Sequence, residues 1–219
     1  MSFEVVLDPG HGVETAGKRS PDGTYLEHEF ALDMAQRIKA ILERHGVGVM
    51  LTRVDEHDVS LVERVRISNA AKPDLFVSIH SNAAGSGAKW MNARGFGIYT
   101  SVPGDGAKRN KAAKAILRRA QEAGIHLWGG GLHHNDELYV LCRTDAPAVL
   151  IEHLFHDNKE DTALLKDPEY REKMAVVDCK GILDYLGIPW QEKGAGSGEE
   201  AETSFICPHC GGKLIITKG

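Results

Sequence analysis

The chain has 219 residues, of which 42% are hydrophobic and 26% charged, and its formal net charge is −5. This length allows one good-sized hydrophobic core with a small appendage, and the composition is ordinary for a soluble globular protein. The mild acidity and the lack of a long basic run argue against a nucleic-acid partner, because phosphate contacts need clustered Lys and Arg.

The first ten residues, MSFEVVLDPG, enter a predicted strand almost at once. They carry no basic region, no apolar stretch and no cleavage site, so the sequence predicts no secretory signal peptide. No apolar run approaches the ~20 residues of a membrane span. We therefore expect a protein that is made in the cytoplasm and has no membrane-spanning segment.

Hydrophobic periodicity predicts strands that alternate with helices along the chain. The predicted strands are 3–7, 47–51, 75–79, 95–101, 138–141 and 149–151. The predicted helices are 26–44, 60–71, 108–123 and 167–185. Gly46 is a plausible stop for the first helix, and Ser60 with Glu63 forms a capping box at the second. The three glycines at 129–131 predict a flexible loop.

This alternation predicts an α/β sandwich with a largely parallel sheet, in which binding sites form beyond the carboxyl ends of the strands. His11, His80 and Glu152 each follow or end a predicted strand, and Glu27 begins the first helix. All four side chains can therefore converge on one edge of the sheet.

Two histidines and a carboxylate on separate loops can hold one zinc ion and leave a coordination position open for water. Zinc lowers the pKa of its water toward about 7, and a nearby carboxylate such as Glu152 can move the proton. Each residue also has an ordinary interpretation: a loop histidine for His11 or His80, a helix-dipole carboxylate for Glu27, and a strand-end charge for Glu152. Residue types and spacing alone leave these interpretations open.

Several segments together resemble the zinc-dependent N-acetylmuramoyl-L-alanine amidases of the amidase-3 type. They are LDPGHG, GTYLEHEFAL, LTR, LVERVRISNAA, FVSIHSNA and PAVLIEHLFHDNKED, in the family's order, and the resemblance covers residues 3–187. It implies a three-layer sandwich with a mixed, mostly parallel sheet of about six strands. It also implies one Zn²⁺ held by His11, Glu27 and His80, with Glu152 as the catalytic glutamate. The implied substrate is peptidoglycan, cleaved at the amide between N-acetylmuramic acid and the L-alanine of the stem peptide.

The chain departs from the family pattern at two places. Gly12 is followed by Val-Glu-Thr where a second glycine and then an aspartate are common, and His153-Leu154 precedes Phe155 where glycine is usual. His153 and His156 are therefore extra histidines, for which we expect packing or surface roles. Asn82 and Arg143 are candidates for binding polar groups of the substrate, although Arg143 could equally form a structural ion pair.

The composition changes after the last predicted helix. We expect a catalytic domain over 1–190, a flexible linker rich in Gly, Ser and Glu over 191–204, and a short tail over 205–219. Cys207 and Cys210 in the tail resemble one knuckle of a zinc ribbon, which needs two such pairs. A second chain could supply the other pair and form a homodimer; alternatively, both thiols stay reduced and bind no metal.

A wall hydrolase without a visible signal resembles phage endolysins, which reach the wall after a holin opens the membrane; a bacterial autolysin is the alternative. Two other functions stay open from the sequence. One is a zinc carboxypeptidase or peptidase on the same scaffold, and the other is a non-catalytic wall-binding protein.

Overall fold

The computed structural model describes residues 4–104, 106–192, 203–206 and 213–216. The chain divides into two compact units, Met1–Pro189 and Trp190–Gly219. The strands of the first unit are β1 (Glu4–Pro9), β2 (Gly48–Leu51), β3 (Leu75–Asn82), β4 (Phe96–Thr100), β5 (Leu127–His134) and β6 (Ala148–Phe155). Its helices are α1 (Glu27–Arg44), α2 (Leu61–Ala71), α3 (Lys108–Glu122), α4 (Tyr139–Arg143), α5 (Lys159–Lys166) and α6 (Pro168–Leu186).

The six strands form one mixed sheet in the order β2-β1-β3-β6-β4-β5. Neighbours from β2 to β6 are parallel, β4 is antiparallel to β6, and β5 is parallel to β4. The predicted α/β class with a mostly parallel sheet of about six strands is therefore confirmed.

Helices cover both faces of this sheet. On one face, Phe76 and Leu150 of the central strands pack against Val65 of α2 and Leu141 of α4. Helices α1 and α3 pack against the sheet, and α6 packs against both of them. Since side chains alternate between the faces of a strand, residues of the opposite parity, such as Val77, form the core beneath these three helices.

The helix boundary signals in the sequence have direct structural counterparts. The Ser60 hydroxyl accepts a hydrogen bond from the Glu63 amide at 3.3 Å, as the capping box predicts. Gly46 follows α1 with a φ of 77°. The Asp167 carboxylate caps α6 by accepting from the Glu169 amide at 2.9 Å, with Pro168 as the first helical residue.

Two element predictions are wrong, and one helix is missing from the predictions. The run 138–141, predicted as a strand, instead enters α4, because short apolar runs fit a buried helix as well as a strand. The glycines at 129–131, predicted as a flexible loop, lie inside β5. Helix α5, capped by the Asn158 side chain at the Glu160 and Asp161 amides, has too few apolar positions to be visible as a pattern.

The second unit contains an antiparallel pair, β7 (Thr203–Ile206) and β8 (Lys213–Ile216). The pair begins two positions before the predicted start of the tail. Cys207 and Cys210 lie outside the described residues, so the zinc knuckle and the homodimer built on them stay predictions. Among the residues that the structure describes, no helix is long and apolar enough to cross a bilayer.

Candidate metal centre

Two of the predicted site residues are neighbours on adjacent strands. His80 of β3 and Glu152 of β6 are paired in register, so their side chains share the sheet face on which α2 and α4 pack. Those helices cover Phe76 and Leu150, nearer the start of each strand. His80 and Glu152 lie beyond them and are half-buried, which leaves both accessible from outside.

The loop after β1 brings His11 beside His80. The two imidazole rings meet edge to face with centroids 4.9 Å apart. A Cβ on Gly10 would lie 2.2 Å from His80 Cε1, and one on Gly12 would lie 2.2 Å from the Asp58 amide nitrogen. Glycine is therefore required at positions 10 and 12, because a side chain at either would clash with a neighbour. His11 itself has a φ of 59°, in the left-handed region.

Two buried arginines hold this loop in place. Arg64 donates to the carbonyls of Pro9 and His11 at 2.5 and 3.0 Å and to the Asp8 carboxylate at 2.7 Å. Arg53 donates to the Pro9 carbonyl at 3.3 Å. It also donates to the carbonyls of Gly10 and His28 at 3.3 and 2.8 Å. We call Arg53 and Arg64 the arginine clamp; it fixes a backbone segment that has no secondary structure of its own to hold it.

Glu27 completes the cluster from the first turn of α1, where the helix dipole favours a carboxylate. Its Oε1 lies 3.0 Å from His80 Nδ1 and 3.4 Å from His11 Nε2, and it accepts from the Ser81 amide at 3.1 Å. One ligand atom from each of His11, Glu27 and His80 lies within 4.8 Å of the others. Three segments far apart in sequence therefore present two nitrogens and one oxygen to a single point.

The donor set fits a zinc ion. Burial alone would raise the pKa of Glu27, but hydrogen bonds and charge interactions with His80 and His11 outweigh it and hold that pKa well below its usual range. Its Oε2 is buried and has no hydrogen-bond partner among the described residues. A buried, ionised carboxylate with an unsatisfied oxygen is a site that a cation would stabilise.

The contacts of His80 also suit a ligand. His80 Nε2 lies 3.1 Å from the Ser78 hydroxyl, which donates to Asp8 Oδ2 at 2.7 Å. This leaves Nδ1, the nitrogen that faces Glu27, as the one that can bind a metal. Burial lowers the pKa of His11, which favours the neutral imidazole that a metal requires.

Glu152 lies next to the cluster with its Oε2 buried and without a hydrogen-bond partner in the described part of the chain. Burial, and then the negative charge of Glu27, raise the pKa of Glu152 well above its usual range, and Lys18 opposes them. Such a carboxyl group holds a proton more readily than a free glutamate, which suits proton transfer.

Several residues that the sequence did not single out surround this site. The Tyr25 hydroxyl donates to Ser81 Oγ at 2.8 Å, and Ser81 Oγ lies 3.0 Å from Nδ1 of buried His156. His156 Nδ1 is in turn 3.9 Å from Glu27 Oε2. Tyr25 lies two positions before Glu27 and Ser81 directly follows His80. This closeness to a predicted ligand is the only feature of the sequence that indicates a place in the site.

The two extra histidines have different positions. His153 points to the opposite sheet face from Glu152, where it contacts Phe30 and Phe96 and pairs with Asp178 at 2.7 Å, with both side chains fully buried. It is a packing residue. His156 is buried beside the cluster, where burial lowers its pKa.

The two candidate substrate-binding residues, Asn82 and Arg143, lie in different parts of the fold. Asn82 ends β3, and its side chain is within hydrogen-bonding contact of Tyr99, whose pKa is raised by burial and then by the Glu152 charge. Arg143 is exposed at the end of α4, and its carbonyl accepts from Asn69 at 3.1 Å. Because α4 precedes β6, the structure puts Arg143 near the start of that strand and does not bring it to His80.

Comparisons with known proteins agree with this geometry. A family model described as N-acetylmuramoyl-L-alanine amidase matches residues 5–184. An endolysin of Bacillus phage SPP1 is 35% identical, with 100% of this chain and 77% of the relative covered. A germination-specific N-acetylmuramoyl-L-alanine amidase of Bacillus subtilis is 32% identical, with 83% of this chain and 79% of the relative covered.

Solved structures give the same picture. The catalytic domain of CwlV, an N-acetylmuramoyl-L-alanine amidase from Bacillus (Paenibacillus) polymyxa, superposes with a TM-score of 0.74 at 29% identity, covering 85% of this chain and 99% of its own. Ami1, an N-acetylmuramyl-L-alanine amidase from Mycobacterium smegmatis, superposes with a TM-score of 0.76 at 27% identity, covering 84% and 97%.

Proposed function

The chain belongs to the amidase-3 family of N-acetylmuramoyl-L-alanine amidases, and from this we propose how it works as a peptidoglycan hydrolase. The bond cleaved is the amide between N-acetylmuramic acid and the L-alanine of the stem peptide. We propose that His11, Glu27 and His80 hold one Zn²⁺ and that Glu152 transfers the proton. The observation that carries the proposal is the convergence of three ligand atoms within 4.8 Å, beside a buried carboxyl group.

Zinc held by His11, Glu27 and His80 would act as a Lewis acid on the scissile carbonyl and would lower the pKa of a water molecule toward neutrality. The work of the chain is to hold the ligands and to move the proton. Glu152 accepts a proton from the attacking water and delivers it to the nitrogen of the leaving L-alanine. The raised pKa of Glu152 helps it to keep the proton between these two steps.

Glu27 has a different task from Glu152, although both are buried carboxylates near each other. Contacts with His11 and His80 and the hydrogen bond from the Ser81 amide keep Glu27 ionised. Glu152 Oε2 has no such donor among the described residues, and burial raises the pKa of this carboxyl group. Two carboxyl groups whose environments push their pKa values apart can divide the roles of ligand and proton carrier.

The first experiment is end-group analysis of purified peptidoglycan digested with the zinc-loaded enzyme. We expect new N-terminal alanine without new reducing sugar ends. Glu152→Gln should keep a full equivalent of zinc by elemental analysis but lose at least about 100-fold in turnover, as expected for a lost acid–base group. Glu122→Gln, an exposed carboxylate on α3, is the matched control and should change neither quantity.

Other results would redirect the assignment. New amino groups on residues other than alanine would indicate a peptidase on the same scaffold, a function that the names of the relatives do not favour. Full activity in Glu152→Gln would remove Glu152 from the mechanism. A wild-type chain that binds walls but produces no new ends would indicate a binding protein.

A phage endolysin among the relatives supports a further part of the proposal. The protein would be made in the cytoplasm and act on the wall after a holin-type pore releases it. Expression in a bacterial host with and without a holin tests this route. Lysis only with the holin is expected, and lysis without it would indicate another export route.

A further inference from the structure

Three aromatic side chains on β4 and β5, Tyr99, Trp128 and His133, form what we call the aromatic platform. Tyr99 and His133 are paired in register, with ring centroids 5.1 Å apart. The Trp128 ring lies 4.3 Å from His133 and 6.4 Å from Tyr99. All three side chains are half-buried, so part of each ring faces solvent.

The platform lies on the same sheet face as Glu152. Gly97 of β4 is paired in register with Glu152 of β6, so a Cβ on Gly97 would point toward the same side. That atom would lie 3.4 Å from the His133 ring and 3.6 Å from the Trp128 ring. Because Gly97 has no side chain, the His133 and Trp128 rings can pack over β4, the strand next to Glu152. One strand spacing, about 5 Å, separates β4 from the strand that carries Glu152.

A glycine bulge sets the position of Trp128. Between the pairs Phe96–Leu127 and Ile98–Leu132, strand β5 gains three extra residues relative to β4. Residues 129–131 take φ values of 53°, 82° and 86° there, which glycine adopts without strain. The ring nitrogen His133 Nε2 donates to the Trp128 carbonyl at 3.1 Å across the bulge. Bulges of this kind re-aim a side chain beside an active site.

A positive charge lies near the candidate ligands. Lys18 acts electrostatically on His11, Glu152 and His156. The site therefore combines a nearby cation with the aromatic platform. The substrate has matching features, since the stem peptide carries carboxylates and the sugar ring is uncharged.

We propose that the aromatic platform binds the sugar ring on the acyl side of the scissile amide, and this rests on the function proposed above. The apolar face of a pyranose ring can stack on an aromatic ring, while the indole, imidazole and phenol groups offer polar edges to its hydroxyls. One ether oxygen and one carbon of the lactyl group separate the sugar ring from the scissile carbonyl carbon, a short reach that suits rings packed over the strand next to Glu152.

The test compares two substrates of the zinc-loaded enzyme: a muramoyl-peptide, and a lactoyl-peptide with the same amide but no sugar ring. Trp128→Ala should lower kcat/KM for the muramoyl-peptide about tenfold, mainly through KM, and leave the lactoyl-peptide unchanged. Trp128→Phe keeps a ring and should recover most of the loss. Trp90→Ala is the matched control, because Trp90 lies in contact with Lys159 and outside the platform.

A second measurement separates this proposal from the catalytic one. Glu152→Gln and the double variant Glu152→Gln with Trp128→Ala are titrated with the muramoyl-peptide by calorimetry, with thermal unfolding as the check on folding. Weaker binding by the double variant, about tenfold, supports the platform even if turnover has another mechanism. Equal binding by the two variants, or an equal loss for both substrates in the kinetics, would overturn it. Weaker binding of free stem peptide by the double variant than by Glu152→Gln would also overturn it, because the Trp128 ring would then contact the peptide and not the sugar.

Discussion

Replacement of Arg64 tests the idea that the arginine clamp fixes the metal-binding loop. Arg64→Met removes the counter-charge of Asp8, which is 1% exposed, and the donors to the Pro9 and His11 carbonyls. Removing one partner of a buried ion pair costs about 3–5 kcal/mol. We expect the lower end, about 3 kcal/mol, because Thr52 and Ser78 still donate to Asp8.

The loss should appear in urea unfolding and as a fall in Tm of roughly 6–12 °C, since 1 kcal/mol corresponds to about 2–4 °C at this size. Zinc affinity should fall as well, because the His11 backbone loses a fixed position. Arg66→Met is the matched control on the same helix; Arg66 is 67% exposed and pairs with Glu63, so its loss should stay within about 0.5 kcal/mol. Equal stability and equal zinc affinity in the two variants would refute the clamp.

Gly10→Ala places a Cβ 2.2 Å from His80 Cε1, so His80 must move and zinc binding should fall at least about tenfold in a metal titration. Gly106→Ala, in open space, is its control; unchanged zinc affinity in Gly10→Ala would contradict the steric argument. Hydrogen bonds from Arg119 lower the pKa of Asp184, so this pair should stabilise the fold by about 1 kcal/mol above the unfolded pKa and lose that contribution as pH falls through the folded pKa. Asp184→Asn should accordingly differ from wild type in urea at pH 7, and this difference should shrink steadily as the pH falls below 4; a difference that stays constant over that range would show another cause.

Much of the scaffold follows from local patterns. The runs at 3–7 and 75–79 are short and apolar, as buried strands are. Ser60 and Asp167 indicate helix starts, because each side chain accepts a hydrogen bond from an amide in the first turn of its own helix. The positions of His11, His80 and Glu152 at strand ends are equally local. Their grouping at one edge then follows from the chain direction in a parallel sheet.

Other features depend on contacts that no local pattern encodes. The apolar run 138–141 is compatible with either a strand or a helix. It forms part of α4, where Val140 and Leu141 pack against Val65 of α2. The glycines at 129–131 indicate unusual backbone, but whether that means a loop or a bulge depended on the pairing of β4 with β5. Nothing in the sequence distinguishes the surroundings of His153 from those of His156. Side-chain alternation along β6 places His153 on the face opposite Glu152, and the turn after β6 places His156 beside the ligand cluster.

The sequence by itself determined the fold class and the order of the candidate ligands, because periodicity and strand ends are properties of neighbouring residues. Tertiary structure alone decided which groups share the site. The Arg64 guanidinium, 53 positions from His11 along the chain, donates to that residue's carbonyl. Gly97, by lacking a side chain, lets the Trp128 and His133 rings pack beside the strand that carries Glu152. Distances between atoms far apart in sequence are set by how the core packs, and a periodic pattern contains no information about them.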